Sequence, residues 1–207
     1  MARSRLFALQ ECGALEKAHV YADIMDVDGY DIKPLDIITG GFPCPDISTA
    51  GHMLGLSGTK SSLFIELLRV AIESEAEILF LENVANIISK NMRVMFAQLM
   101  KLIVQAGFQY VKWITVRGYN VGSPQSRARW FCLCCKSAAS LEKIASLTPD
   151  LSSEDIKQLS QKKWNPQTSL PMHQYLTHKY DKESLSLVGN CVIPQCAALA
   201  LGIIVHK

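Results

Sequence analysis

Residues 35–45 read Leu-Asp-Ile-Ile-Thr-Gly-Gly-Phe-Pro-Cys-Pro, and this stretch decides the fold that we expect. Residues 35–39 predict a short buried strand, which the double glycine ends. Pro43 and Pro45 restrict the backbone on both sides of Cys44, so the thiol is held in a rigid turn. Because ligands bind where the strands of an α/β sheet end, Cys44 is placed to react. The alternative is an inert core cysteine, the usual state of a free thiol.

Length and composition indicate one ordinary domain with a sizeable core. The chain has 207 residues, of which 49% are hydrophobic, and no apolar run is long enough to span a membrane. No secretory signal follows the basic N-terminus, and the seven cysteines do not have the spacing of a small disulfide scaffold. We therefore expect an intracellular, reducing compartment (cytoplasm, nucleoid or nucleus) and no secretion. The net charge of +2 permits contact with a polyanion without predicting it.

Short apolar strands alternate with helical periods up to residue 135, which is typical of an α/β protein with a mostly parallel sheet. We expect strands at residues 19–24, 36–39, 77–81, 109–116 and 129–135. We expect helices at residues 6–18, 61–73, 91–107, 153–161 and 194–204. The helix at 61–73 should have Leu63 facing inward, and the next should begin at a cap on Asn91 and stop at Gly107. The pattern predicts a main domain at 1–135, a small irregular insertion at 136–187, and a C-terminal helix in 188–207 that packs back on the main domain.

Besides Cys44, further segments carry residues suited to chemistry, and each has a structural alternative. Glu82 follows an apolar strand, where it could equally cap a strand–helix junction. If the strands are parallel, Cys44 and Glu82 project from the same edge. Arg127 and Arg129 would share one face of an extended chain, or they are solvated residues at a strand entrance. The turn at 189–194 leads into the last helix, for which an ordinary cap is the alternative.

In this order, the segments resemble the motifs of the DNA (cytosine-5)-methyltransferase family. The matching residues are Gly-Phe-Pro-Cys at 41–44, Leu-Glu-Asn-Val at 81–84, Pro-Gln-Ser-Arg-Ala-Arg at 124–129 and Gly-Asn-Cys-Val-Ile-Pro at 189–194. The resemblance covers residues 20–135 and 185–205. It implies a Rossmann-like methyltransferase sheet and an enzyme that transfers a methyl group from S-adenosylmethionine to C5 of cytosine in double-stranded DNA.

The resemblance also implies a role for each catalytic residue. Cys44 would add covalently to C6 of a cytosine that has been flipped out of the duplex. Glu82 would donate a proton or a strong hydrogen bond at N3, which requires enough burial to keep it partly protonated. Arg127 and Arg129 would hold the O2 atom of the base and the nearby backbone.

For the cofactor, the resemblance assigns five residues to the S-adenosylmethionine pocket. Asp23 would contact the adenine, although a strand-end cap is an equally good interpretation. Ile24, Pro43 and Leu63 would form the adenine wall, and Asn190 would lie near the methionine end. The resemblance implies no metal and no membrane partner.

The chain departs from the family pattern in three places. The Phe-x-Gly-x-Gly turn and the acidic residue that follows it are not matched, so we expect an incomplete sheet that lacks its first two strands. Pro45 stands where the family prefers glutamine, and the target-recognition region is reduced to about residues 136–187.

Three hypotheses follow from this combination of matches and departures. The first is a split methyltransferase whose N-terminal piece another chain supplies. The second is an inactive remnant that binds DNA or a partner without catalysis. The third is an unrelated thiol enzyme that uses Cys44. This hypothesis lacks support, because no histidine lies beside a recognisable motif.

Overall fold

A four-stranded mixed sheet forms the centre of the described part of the chain. The computed structural model describes residues 2–32, 34–43, 63–123, 126–161 and 192–206. The strands are β1 (Ile37–Gly41), β2 (Ile78–Val84), β3 (Tyr110–Arg117) and β4 (Ala128–Cys135). The helices are α1 (Ala2–Glu11), α2 (Leu63–Glu73), α3 (Arg93–Gln105), α4 (Ala138–Ser146), α5 (Ser153–Gln161) and α6 (Pro194–His206). The strands lie in the order β1-β2-β4-β3.

The expectation of a mostly parallel sheet is wrong for these strands. β1 and β2 pair in parallel, whereas β4 is antiparallel to both β2 and β3. The reason is the short connection from β3 to β4, which contains only one helical turn (Gly118–Val121) and a loop. A connection of this length joins antiparallel neighbours, while a parallel pair needs a long crossover such as α2.

Helices cover both faces of the sheet, so the fold is the α/β class that the sequence predicts. Leu79 and Leu81 of β2 are buried in a core cluster that includes Leu67 of α2 and Leu99 of α3. The side chain of Ile78 points to the opposite face of β2, where it lies in a second cluster under α4 and α6. Because successive strand residues point to opposite faces, β2 places Glu82 on the α6 face and Asn83 on the face of α2 and α3.

Several helix boundaries confirm the sequence-based predictions. The helix at 153–161 is α5, and α6 begins at Pro194 as expected and packs against β3 and β4. Gly107 ends α3 with a φ of 96°, a left-handed conformation that glycine adopts at little cost. The expected cap at Asn91 is wrong, because this residue lies in a short 3-10 turn and Met92 precedes α3 without a side-chain cap.

The N-terminal region differs most from expectation. Residues 19–23 do not form a strand, because the side chain of Asp23 accepts a hydrogen bond from the backbone N–H of Met25 and starts the 3-10 turn Ile24–Asp26. Helix α1 also ends at Glu11, well before the expected residue 18.

The insertion contains a helix that the pattern did not predict. The hydroxyl of Ser137 accepts a hydrogen bond from the N–H of Ser140 and so caps α4. Ser140 donates to the carboxylate of Glu77, and Lys143 pairs with Asp36, so α4 is attached to the main sheet. The boundaries at 135 and 187 stay predictions, since residues 162–191 lie outside the described part.

β1 is more exposed than a buried strand would be. Among the described residues it pairs on one side only, with β2, and Ile37 is 38% exposed. In the described segments, none of the helices has the length and apolar character required to cross a bilayer.

Candidate active site

The parallel pairing of β1 and β2 brings the start of the cysteine loop beside Glu82. Gly41, the last residue of β1, is the register partner of Glu82. Phe42 and Pro43 follow it, and then the chain reaches Cys44, which lies outside the described residues. β2 extends through Glu82 to Val84 rather than ending at residue 81, because β4 continues to pair with it up to Arg129.

Gly41 leaves room for the carboxylate of Glu82. A Cβ atom at position 41 would lie 3.2 Å from Oε2 of Glu82, closer than ordinary van der Waals contact. At Gly40, a Cβ atom would overlap the side chain of Leu67 on α2. The double glycine does not end the strand as expected but lies within β1, where it permits close packing on both faces.

Glu82 forms an ion pair with Arg129 across the neighbouring strand. Nε of Arg129 lies 2.8 Å from Oε1 of Glu82, and the two side chains are only 18% (Glu82) and 15% (Arg129) exposed. Glu82 faces Phe131 in the register, so Arg129 is its diagonal neighbour on the same face of the sheet. One carboxylate oxygen is thus held by an arginine, and the other lies beside the end of β1.

The environment of Glu82 favours its protonated form. Burial raises the pKa of this carboxyl above its ordinary value, and the positive charges of Arg129 and Arg127 offset only part of that effect. Both arginines of the 122–129 segment therefore act on Glu82, even though Arg127 precedes β4. A carboxyl group with a raised pKa in a polar, partly buried site is suited to donate a hydrogen bond or a proton.

Asn83 anchors the cysteine loop, a role that sequence reasoning missed. Its Nδ2 donates a 2.7 Å hydrogen bond to the backbone oxygen of Phe42, and its Oδ1 accepts from the N–H of Val84. Asn83 is only 4% exposed. The signal in the sequence was an amide within an apolar strand, since a buried amide is almost always hydrogen-bonded to a specific partner.

Both ends of the segment 44–62 are attached at one place in the core. The rings of Phe42, before this segment, and Phe64, after it, have centroids 4.7 Å apart. Phe64 is fully buried, and it takes the inward position of α2 that the sequence had given to Leu63, which is 38% exposed.

Four residues of the expected cofactor pocket are described, and the pocket itself stays a prediction. Ile24 is half-buried against the main core cluster, and Leu63 and Pro43 are exposed apolar side chains. Asp23 is exposed, and one of its oxygens is engaged by the backbone of Met25. Apolar side chains and a carboxylate acceptor are the residue types that suit an adenine and its amino group. Asn190 lies outside the described residues.

The buried cysteines of β4 and α6 do not offer a reactive thiol site. Residues 132–135 contain a Cys-x-x-Cys pattern, but they lie in β4, where Cys132 and Cys135 point to opposite faces of the sheet. Burial raises the pKa of the Cys135 and Cys196 thiols to about 11. These buried thiols are therefore core residues, and the pattern is not a redox motif.

Comparison with known proteins gives consistent relatives. The model of the family described as C-5 cytosine-specific DNA methylase matches residues 10–197. The chain is 34% identical over 116 residues to the type II methyltransferase M2.ScrFI of Lactococcus lactis subsp. cremoris, which covers 55% of this chain and 32% of the relative. It is 28% identical over 179 residues to M.CviJI of Paramecium bursaria Chlorella virus IL3A, which covers 86% of this chain and 45% of the relative.

Among solved structures, a mutant of DNMT2 from Spodoptera frugiperda aligns with a TM-score of 0.46 at 18% identity, over 63% of this chain and 39% of that one. The chain thus spans between a third and a half of the length of M2.ScrFI and M.CviJI. Because the family model matches nearly the whole chain, this protein belongs to the C-5 cytosine-specific DNA methylase family.

Proposed function

We propose that this chain carries the catalytic chemistry of a DNA cytosine-5 methyltransferase. The observation that carries the proposal is the position of Glu82, which has a raised pKa, pairs with Arg129 and lies beside the strand end that leads to Cys44. The substrate is a cytosine flipped out of double-stranded DNA, because C6 of the base is inaccessible inside the duplex.

In this proposal, Cys44 and Glu82 act together on the cytosine ring. The Cys44 thiolate forms a bond to C6 while the carboxyl of Glu82 donates a proton or hydrogen bond to N3, so the electron pair displaced from the C5–C6 bond is stabilised in the ring. C5 then becomes nucleophilic. C5 would then form a bond to the methyl group that S-adenosylmethionine supplies when it is bound. A solvent base would take the C5 proton, the C–H electron pair would re-form the C5–C6 double bond as the thiolate leaves C6, and the N3 proton would return to Glu82.

The arginines keep the acid in place. Arg129 fixes one oxygen of Glu82 and leaves the other directed toward the end of β1, and Arg127 adds positive charge that would hold O2 of the base. Asn83 fixes the backbone at Phe42 and so limits the positions that Cys44 can take.

S-adenosylmethionine supplies an electrophilic methyl group when it is bound. Asp23, Ile24, Pro43, Leu63 and Asn190 are the residues that we propose to hold it. The described sheet contains no strand on the outer side of β1, and the sequence lacks the glycine-rich turn of the family. We therefore propose that strands from outside these residues, on a complementing N-terminal chain, complete the pocket at the open side of β1.

The test is a methyl-transfer assay with radiolabelled S-adenosylmethionine and duplex DNA, with and without an N-terminal segment that contains a Phe-x-Gly-x-Gly turn. The segment can come from a neighbouring gene that encodes this turn. We expect label in 5-methylcytosine only with the complement, and none with C44S. With DNA that contains 5-fluorocytosine, the complemented protein should form a covalent complex that C44S does not form.

The second candidate function is a non-catalytic remnant that binds DNA or a partner chain. The observation in its favour is again that β1 has no partner on its outer side among the described residues, and that this short strand contains no charged residue or proline to protect its edge. DNA binding by both the wild type and C44S, with no methyl transfer under any complement, would favour this candidate over the first.

A further inference from the structure

An arginine on α2 holds the irregular segment that contains Ile24. Nη2 of Arg69 donates hydrogen bonds to the backbone oxygen of Ile24, at 3.2 Å, and to that of Val27, at 3.0 Å. Because this segment is not a strand, these carbonyl groups receive no ladder hydrogen bonds from the sheet. The Ile24 oxygen also accepts the turn hydrogen bond from the N–H of Val27, and the bonds from Arg69 attach the segment to α2.

Two glutamates on the same helix orient the guanidinium group of Arg69. Its Nε lies 2.7 Å from Oε2 of Glu66, and its Nη1 pairs with Oε2 of Glu73. The hydrogen bond that Arg69 donates to Glu66 is the main reason that the pKa of Arg69 is raised. A guanidinium held at two nitrogens presents the third in a fixed direction, which a lysine could not do.

Glu73 also contacts the segment directly. Its Oε2 accepts a 3.1 Å hydrogen bond from the N–H of Gly29, which is buried. A Cβ atom at Gly29 would lie 3.0 Å from the carbonyl oxygen of Val70 and equally close to the N–H nitrogen of Ser74. The segment thus packs directly on the last turns of α2, and Gly29 permits this close approach.

These contacts couple two parts of the proposed cofactor pocket. Ile24 belongs to the held segment, and Leu63 is the first residue of the helix that carries Arg69. We propose that Arg69 is a positioning residue for S-adenosylmethionine, because it fixes the spacing between Ile24 and Leu63, two of the three side chains that we propose for the adenine wall. This inference rests on the proposed function and adds to it a residue that does not itself contact the cofactor.

The experiment compares R69M, R69K and E66Q in the complemented methyltransferase, with KM for S-adenosylmethionine, KM for DNA and kcat measured separately. R69M should raise KM for S-adenosylmethionine by roughly tenfold or more, because a charged donor to two carbonyls is lost, with kcat and KM for DNA changed by no more than about twofold. R69K should recover part of the loss. E66Q keeps the bonds to Ile24 and Val27 but weakens one of the two glutamate contacts that orient Arg69, so its KM for S-adenosylmethionine should rise by less than that of R69M.

Hydrogen exchange on the full chain gives a readout that does not depend on the cofactor. In R69M the amides of residues 24–29 should exchange faster, while those of β2 keep their protection. If R69M does not fold, R69K is compared with the wild type instead. The amides of residues 24–29 should also exchange faster in R69K, because one ammonium group cannot bond both carbonyls and both carboxylates.

The outcomes separate this inference from the proposed function. Equal KM values for S-adenosylmethionine in an active wild type and R69M would overturn the inference alone, as would an equal rise in R69M and E66Q. A complemented wild type that transfers no methyl group would overturn the proposed function, and the inference with it.

Discussion

Glu82 and Arg129 are joined across two antiparallel strands by an ion pair of 2.8 Å, although Glu82 is the register partner of Phe131 and Arg129 that of Val84. The diagonal geometry lets a long arginine side chain reach back along its strand to the carboxylate. Burial of Glu82 still outweighs the arginine charges in its effect on the pKa. The pair therefore holds the acid in position while its pKa stays above the ordinary value.

The raised pKa of Glu82 predicts a specific dependence of stability on pH. Since the pKa of the folded state lies above the ordinary value of 4.5, the folded protein binds the proton more tightly than the unfolded chain. This contribution to stability is fully present below 4.5 and is lost as the pH rises through the folded pKa. In thermal melting, we therefore expect the Tm of E82Q to increase relative to that of the wild type as the pH rises through the folded pKa.

E142Q, at an exposed position of α4, is the control for removing a negative charge. If instead the wild type gained stability relative to E82Q as the pH rises, the attraction of Arg129 would outweigh burial in its effect on the pKa of Glu82. E82Q should also lose methyl transfer in the complemented protein at every pH, since the amide cannot donate a proton.

Substitution of Arg129 should shift the pH profile of activity. Because Arg129 lowers the pKa of Glu82, R129M should raise that pKa further, and the alkaline limb of the kcat profile should move to higher pH. We also expect kcat to fall by roughly 100-fold, the order of effect seen when a positioned catalytic donor is removed. R129K keeps the positive charge without the planar guanidinium, so the alkaline limb of its kcat profile should move less than that of R129M. An unchanged pH profile in R129M would contradict this role.

Asn83 should matter for the reactivity of the cysteine loop. N83D replaces the donor to the Phe42 oxygen with an acceptor, which should lower the free energy of unfolding by about 1–3 kcal/mol. It should also slow covalent trapping by 5-fluorocytosine DNA in the complemented protein. N86D, at an exposed position in the turn after β2, is the matched control and should leave trapping unchanged. Equal trapping rates in N83D and the wild type would show that the loop does not depend on this anchor.

Cysteine alkylation should separate reactive from structural thiols. Burial raises the pKa of Cys135 and Cys196 from 9.0 to about 11, which lowers their thiolate fraction by about 100-fold. With iodoacetamide and peptide mass mapping, both should react far more slowly than the exposed Cys12 of the same molecule. We expect Cys44 to react at least as fast as Cys12. Modification of Cys44 only after denaturation would contradict its placement in an exposed turn.

S-adenosylmethionine should bind only weakly to residues 1–207 alone. The reasons are the missing glycine-rich turn and the open side of β1 in the described sheet. Isothermal calorimetry with and without the N-terminal complement measures this directly, and the complement should restore tight binding. Stoichiometric, tight binding by the chain alone would show that the pocket needs no further strands.

The sequence predicted the elements whose signals are local. The apolar runs of β2 and β4, the apolar helix that starts at Pro194 and the stop at Gly107 all depend on neighbouring residues, so their patterns indicated them correctly. The strand expected at 19–24 was wrong because the side chain of Asp23 offers the backbone a competing hydrogen bond. Helix α4 was missed because its cap, Ser137, lies in a polar region without strong apolar periodicity.

The sequence by itself determined the family, the fold class and the candidate residues, because motif order and apolar patterning are written along the chain. Only the tertiary structure decided which of these residues meet. The pairing of β1 with β2 places Gly41 beside Glu82, and antiparallel β4 brings Arg129 to the same carboxylate. Strand register and burial result from packing between distant segments, so the raised pKa of Glu82 and the anchor from Asn83 to Phe42 could not be derived from local sequence.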